Sequence, residues 1–289
     1  MKEFLDMQKN LKICVCYHRP AFVFDEECFV PMWSGKDVAH EISKEGSALS
    51  EEQINWMEEH CVGDNTGDNI SKENRKYSEI TVLYWVWKNY VKIGNPNYIG
   101  FMQYRRHFLL NGNSFDGAEA DNFNQIYIDK IPDNYTKAAG LTEENILSIL
   151  RTYDGIAACN DTKQSIRNYN ETHFSQDIKY YNKTLEIIDK DWQKIAPAAH
   201  RYERETYHSW SQCFVIQKEI FFEYCEFLFD VLKKLDDFCK DDYQKLSVEQ
   251  QRILGYAAEN LWGIYWRYLT DKGLKFKCVP LIVNKNPFI

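Results

Sequence analysis

Residues 77–108 leave this chain the fewest options. The stretch opens Tyr-Ser-Glu-Ile-Thr-Val-Leu-Tyr-Trp-Val-Trp-Lys-Asn, turns at 94–97, and continues Tyr-Ile-Gly-Phe-Met-Gln-Tyr-Arg-Arg-His-Phe. In its first half Ile80, Leu83, Tyr84, Trp87 and Val91 recur at helical spacing, and Val82, Trp85 and Val86 add apolar surface on the flanks. A helix that is apolar on most sides packs inside a protein instead of lying on it. Glu79 near its start and Lys88 and Lys92 near its end follow the order the helix dipole favours, and Gly94 and Pro96 stop it. Residues 98–102 then change period to a short apolar run, the length of a buried strand, which ends in Gln103, Tyr104, Arg105, Arg106 and His107. A buried strand opening into arginines is how an open α/β sheet offers cations at its carboxyl edge, where ligands bind. Arg105 or Arg106 is therefore expected to hold an anion. If the strand runs on through them, they point to opposite faces and only one reaches a given ligand. The alternative is a pair of solvated charges.

No repeat and no linker divides the 289 residues, so one domain over 1–289 is expected, with 1–10 a polar lead and 111–140 a loop or lid insertion. A net charge of -8 argues against nonspecific nucleic-acid binding, so any cationic site must be local. Aromatic residues reach 15%, more than a core needs; rings of this kind often stack on sugars and bases, the alternative being that they are simply packed. The nine cysteines are odd in number and contain no Cys-x-x-Cys. Beside Cys14 and Cys16 no His pair falls at zinc-ligand spacing near other ligands, so they are not read as a metal site. Residues 1–10 lack the apolar core of an export signal, and no run approaches the ~20 residues of a membrane span. Free thiols in a cytoplasmic protein are the expectation.

A first strand, 12–17, ends in Tyr17-His18-Arg19-Pro20 with no Gly-x-Gly-x-x-Gly after it and no Walker loop anywhere. Tyr17 and His18 either meet a nucleotide base or are structural. Residues 26–60 are weakly patterned. The cluster 63–71, rich in Asp, Asn and Gly, is either a surface loop ending in a cap at Ser71 or Asn74, or a loop that wraps a polar ligand. Thr142 caps a helix through Arg151, and Asp154 precedes a strand. His173 lies near the start of a helix at 176–190, where the dipole disfavours imidazolium and leaves it able to accept a proton, a capping or packing role being the alternative. A strand at 211–216, helices at 218–235 and 248–269, and a closing strand at 274–283 complete the chain. In the last helix Arg252 and Glu259 share a face.

Taken in order, Tyr-His-Arg-Pro, Gly-Asp-Asn-Thr-Gly-Asp-Asn-Ile-Ser, Tyr-Ser-Glu-Ile-Thr-x-x-Tyr-Trp-x-Trp-Lys-Asn, Tyr-Ile-Gly-x-x-x-Tyr-Arg-Arg, Tyr169-x-x-x-His173 and Gln251-Arg252-x-x-Gly255-x-x-Ala258-Glu259 form a pattern. Over residues 11–284 it resembles the bacterial capsular and exopolysaccharide glycosyltransferases first catalogued as a domain of unknown function. The sequence departs from that pattern at Gln103, where His is expected, and at Asn260, where Arg is usual. The resemblance implies a GT-A-like (Rossmann-like) mixed sheet flanked by helices, with a helical C-terminal part. It also implies transfer of a hexose, galactofuranose first, from a UDP-sugar to a lipid-linked oligosaccharide at the inner face of the plasma membrane.

Such a transfer releases a dianionic diphosphate, and something must stabilise that charge. Many GT-A enzymes hold Mn²⁺ or Mg²⁺ on Asp-x-Asp; the one such motif here, Asp189-Lys190-Asp191, falls in a charged helix end. Guanidinium takes phosphate bidentately and stays charged. A cofactor-free, metal-independent transferase using Arg105 or Arg106 is thus expected. Tyr17, His18, Asp68, Asn69, Tyr77, Tyr104, Arg105 and Arg106 are assigned to the donor, Tyr169 and Trp210 to the acceptor. Glu259, His173 and Asp154 are the candidate bases, Glu259 having a structural ion pair with Arg252 as its alternative role. The rival reading is a non-catalytic sugar-binding or scaffolding protein of the same pathway.

Overall fold

The apolar run after Gly94 forms the middle strand of the sheet. The computed structural model describes residues 10–43, 46–112, 115, 117–121, 123, 125–172 and 176–288. In chain order the first elements are β1 (Leu11–Tyr17), β2 (Phe29–Trp33), α1 (Glu51–His60), β3 (Val62–Gly63), α2 (Asn74–Tyr77), α3 (Ile80–Lys88), β4 (Tyr98–Gln103) and β5 (Arg106–Phe108). Then come β6 (Glu119–Ala120), β7 (Gln125–Ile128), α4 (Tyr135–Ala138), α5 (Glu143–Leu150), β8 (Gly155–Asp161), α6 (Ile166–Thr172), α7 (Ile178–Asp191) and α8 (Ala196–Tyr202). The last are β9 (Tyr207–Gln217), α9 (Lys218–Cys239), α10 (Ile253–Asp271), β10 (Phe276–Val279) and β11 (Leu281–Asn284).

β4 pairs in parallel with β1 on one side and antiparallel with β9 on the other. β2 and β3 continue in parallel beyond β1, and β8 and β10 beyond β9. The parallel strands β1, β2, β4 and β8 therefore all end at one edge, the place such a sheet reserves for ligands. A smaller set, β5, β11, β7 and β6, grows from the end of β4 through the pair Gln103↔Arg106. This is the mixed α/β sheet flanked by helices that the sequence led us to expect.

Apolar residues cover both faces of the sheet. On one face α3, α7, α9 and α10 pack around Trp85, Phe214, Phe221 and Trp262; on the other, α1 and α5 close over Ile13, Val15 and Ile156. Two of the buried indoles keep their N–H paired. Trp85 donates to the Thr66 carbonyl at 2.6 Å and Trp262 to Ser209 Oγ at 2.8 Å. No helix among the described residues is long and apolar enough to cross a membrane.

Several local expectations are revised. The weakly patterned stretch before residue 60 contains α1, fixed by a capping box between Ser50 and Gln53. The expected loop at 111–140 carries β6, β7 and α4. The last helix begins at Ile253, because Ser247 and Gln250 cap each other in a turn just before it. The closing strand breaks at Pro280, which has no N–H to give a ladder. The expectation of free thiols fails at one pair: Cys159 and Cys278, on neighbouring strands β8 and β10, form a disulfide, while the other seven cysteines are free.

Candidate active site

The common edge of β1, β2, β4 and β8 opens into a cleft with about 420 Å³ of free space, within the size that holds small ligands. Its floor is the strand ends: Tyr17, Ser34, Gln103 and Asn160. Its far wall is the start of α10 (Arg252, Tyr256, Glu259), and the α2–α3 junction supplies Asn74, Arg75, Ser78 and Glu79. Five of the chain's ten arginines line it (Arg19, Arg75, Arg105, Arg106 and Arg252), and none of the described lysines does. In an acidic protein that choice favours planar, bidentate recognition of an anion over a point charge.

Arg105 and Arg106 both reach the cleft because the strand does not run on through them. Gln103 and Arg106 face each other across a two-residue turn made by Tyr104 and Arg105, so β4 reverses at once into β5. Arg105 lies over the Tyr104 ring, 5.9 Å from its centroid, and its guanidinium makes no hydrogen bond or ion pair among the described residues. Arg106 Nη1 donates to Gln103 Oε1 at 2.5 Å. The same Gln103 amide donates to Glu79 Oε1 at 2.9 Å and to the Ser211 carbonyl at 3.0 Å. One side chain thus ties the arginine turn, the head of α3 and β9 together.

β9 departs from a regular strand at that point. Between Ala157 and Cys159 of β8, the facing positions on β9 jump from Phe214 to Ser209, so β9 bulges out and carries Trp210 and Ser211 into the cleft. Ser211 and Gln212 have φ of 67° and 49°, a conformation that costs energy for L side chains and is held by its surroundings. Gln212 donates to the Ala258 carbonyl and accepts from the Tyr224 hydroxyl, and Trp210 donates to the Tyr202 hydroxyl at 3.0 Å. Tyr169 packs on Trp210 with ring centroids 4.5 Å apart. Burial raises the Tyr169 hydroxyl, and the Glu259 carboxylate raises it further. Glu259, half-buried, therefore sits on the same side of the cleft as the two rings.

The opposite wall hangs on a residue the sequence reading passed over. Asp64 is fully buried and accepts from Gly35 N–H (2.8 Å), Lys36 N–H (3.1 Å), Ser71 Oγ (2.6 Å) and Thr81 Oγ1 (2.6 Å). Burial pushes its carboxyl up, and those four donors pull against that shift. They fix the Ser34-Gly35 turn. Gly35 has φ +71°, and a Cβ there would lie 2.4 Å from Asn74 Cγ, so no other residue fits. Asn74 Nδ2 in turn donates to Ser34 Oγ at 2.9 Å and to the Ser78 carbonyl at 2.8 Å. Asp64 belongs to the 63–71 cluster, and its burial is the physical use of that run.

Of the residues singled out from sequence, Tyr17, His18, Tyr104, Arg105, Arg106, Tyr169, Trp210 and Glu259 meet in this one cleft. Tyr17 presents its ring alone, since its hydroxyl donates to the Phe22 carbonyl at 2.7 Å. Four others lie elsewhere. Asp68 accepts from Tyr84 at 3.1 Å and Asn69 caps Ser71 N–H at 3.1 Å, both in a loop tied along α3 and outside the cleft lining. Tyr77 is packed in the core beneath α10. Asp154 accepts from Lys275 N–H at 2.7 Å where β8 and β10 begin, at the opposite end of the sheet. His173 falls outside the described residues. Arg252, the alternative ion-pair partner for Glu259, donates instead to Ser78 Oγ at 2.8 Å. Arg19, Ser34, Asn74 and Gln103 were missed; Arg19 and Gln103 stood beside chosen residues in both quoted motifs.

At the end of β4, Gln103 and two arginines occupy the place where a metal's carboxylates would stand; of the cleft carboxylates, Glu41 is paired with Arg75 at 3.2 Å and Glu79 accepts from Gln103 at 2.9 Å. The Asp-x-Asp of α7 is spent on the surface, Asp189 with His200 at 2.7 Å and Asp191 with Lys234 at 2.9 Å.

Fold and cleft together define an α/β protein with an arginine-lined ligand cleft at the carboxyl edge of its sheet. The structure is similar to that of a WbbM bifunctional glycosyltransferase in its apo form, with a TM-score of 0.79 and 27% sequence identity over 96% of this chain. The chain spans about half of that protein, 46% of its length. It belongs to the family described as Domain of unknown function (DUF4422), whose profile matches residues 12–270. No curated protein matches the chain.

Proposed function

We propose that this chain is a glycosyltransferase that moves a hexose from a nucleoside diphosphate sugar, UDP-galactofuranose first, to a lipid-linked oligosaccharide of capsular, exopolysaccharide or O-antigen assembly. The protein would work at the inner face of the membrane, bound peripherally. The observation that carries this reading is the meeting of Arg105 and Arg106, at the end of the middle strand, with Glu259, Tyr169 and Trp210 in one cleft. The likeness to a bifunctional glycosyltransferase supports the reaction class.

In the reaction the bond from the anomeric carbon to the diphosphate oxygen breaks and a bond to an acceptor hydroxyl oxygen forms. Negative charge grows on the diphosphate, and the guanidinium groups of Arg105 and Arg106 stabilise it more in the transition state than in the bound donor. Gln103 keeps Arg106 turned to that position. For an inverting transfer the acceptor proton passes to a carboxylate within reach, the part given to Glu259. Tyr169 and Trp210 offer the ring faces on which an acceptor sugar lies. The transfer needs no metal because arginines stand where carboxylates would carry one.

A sugar-transfer assay with a panel of UDP-, GDP- and CMP-sugars, run in excess EDTA and again with Mn²⁺, tests this. Turnover that persists in EDTA, and falls about 100-fold or more in Glu259→Gln with nucleotide binding intact, is the expected result. Activity that EDTA abolishes and Mn²⁺ restores contradicts the metal-independent mechanism. A protein stabilised by free sugar, and by no nucleotide, is a sugar-binding module instead.

A further inference from the structure

Among the described residues, Arg19 is a buried cation without a counter-charge. It is nine-tenths buried, yet its partners are neutral: Nη2 donates to Ser43 Oγ (3.2 Å), Ser47 Oγ (2.9 Å) and the Ser47 carbonyl (3.0 Å). Nε is buried with no partner, Nη1 makes no hydrogen bond to a described residue, and no carboxylate among the described residues pairs with the group. Burying a guanidinium on these terms is costly unless something else completes it. Arg19, Ser43 and Ser47 all line the cleft, so the completing group enters from there.

Position decides which part of a ligand that is. Across the sheet the strands run β2, β1, β4, β9, β8. Glu259, Trp210 and Asn160 stand over the β9 and β8 side, and Arg105 and Arg106 over β4. His18 turns toward Tyr104 and Phe288, at centroid distances of 4.7 and 5.8 Å, whereas Arg19 turns the other way, toward the loop that follows β2. With the diphosphate on the two turn arginines and the sugar beside Glu259, the nucleoside has the β1 and β2 side left to it. The edge of its base farthest from the ribose then meets Arg19.

We infer that Arg19 selects the base of the donor by accepting only a carbonyl oxygen on that edge. This rests on the nucleotide-sugar reading above. A guanidinium has donors and no acceptor. Uracil and guanine present a keto oxygen there and complete the buried charge. Cytosine and adenine present an amino group, donor against donor, and leave both unpaired in a dry site, the arrangement by which polar pockets reject near-isosteres most strongly. Among bases of equal size, uracil is therefore taken over cytosine.

Isothermal titration of UDP, CDP, GDP and ADP into wild type, Arg19→Met and Arg19→Gln tests this, with melting curves confirming that each variant folds. Wild type is expected to bind UDP at least about tenfold more tightly than CDP, the effect of one hydrogen bond to a charged group. In Arg19→Met the UDP-to-CDP ratio should fall toward one, mainly by loss of UDP affinity. Arg19→Gln, whose amide supplies an acceptor as well as donors, should gain CDP affinity, and its own UDP-to-CDP ratio decides the matter if the Met variant does not fold. Equal losses for UDP and CDP would make Arg19 an anchor for its serine loop alone, and a wild-type preference for CDP or ADP would also overturn the inference. A wild type that binds none of the four refutes the nucleotide-sugar reading and the inference with it.

Discussion

Lowering the pH from 7 to 5 should destabilise this fold through two imidazoles that take no part in the proposed chemistry. His107 and His208 are fully buried, and burial holds each down to about 3 from an ordinary 6.5. His107 sits against the rings of Phe24 and Tyr135, with Nδ1 2.7 Å from the Tyr135 hydroxyl and Nε2 unpartnered. His208 packs 3.8 Å from the Trp210 ring, with neither ring nitrogen partnered. Between pH 7 and 5 the folded chain keeps both neutral while the unfolded chain protonates them. The unfolded state therefore binds more protons, and stability present above about 6.5 drains away as the pH falls toward 3. Each histidine costs about 1.36 kcal/mol per pH unit below 6.5, hence about 2 kcal/mol at pH 5 and about 4 kcal/mol for the two. That is a large part of the ~5–15 kcal/mol that holds a domain folded. His200 runs the other way, because Glu203 and then Asp189 raise it, so its contribution is complete below 6.5 and is lost as the pH rises. Its side chain is 43% exposed, and solvent screens that term. Urea unfolding by circular dichroism at pH 7 and 5, for wild type and for His107→Phe/His208→Phe, isolates the buried pair. Wild type should lose about 4 kcal/mol more than the double variant. Equal losses in the two proteins would refute the reasoning.

Gln103→Leu removes the acceptor of Arg106 and the links to Glu79 and Ser211. It should cut kcat about 10- to 100-fold, from about 1.5–3 kcal/mol for a hydrogen bond to a charged group, and lower Tm as well because its buried partners are left unpaired; steady-state kinetics beside a melting curve check it, and an unchanged kcat contradicts it. Asp64→Ala strands four donors in the interior and should cost about 3 kcal/mol or more, read as a shift of the urea midpoint. Gly35→Ala, forced to φ +71° with its methyl against Asn74, should distort the Ser34 turn and weaken nucleotide binding by titration before it unfolds the protein.

Much of the scaffold could be read from periodicity, because burial writes itself into long runs. The all-round apolar helix α3, the strand β4 and the Thr142 cap of α5 are cases where one physical requirement fixes several residues at once. What was missed depends on contacts between distant segments. The Tyr104-Arg105 turn carries none of the Gly or Asn that announce a tight hairpin, so two arginines expected on opposite faces share one cleft. The β9 bulge is set by Gln103, Tyr202, Tyr224 and Ala258, none of them local to it. The 63–71 cluster advertised exposed Asp and Asn, and its working member, Asp64, proved to be the buried one. Arg19 looked like the tail of a strand-end motif; only burial without a counter-charge among the described residues marks it as unusual.

The claim on which this account turns is that guanidinium groups at the end of β4 receive the leaving diphosphate. A crystal structure with UDP bound tests it most directly. The account predicts diphosphate oxygens about 2.7–2.9 Å from the nitrogens of Arg105 and Arg106, with the base over Tyr17 and Arg19. A diphosphate held by carboxylates through a divalent cation, with both arginines turned away from it, would contradict the account.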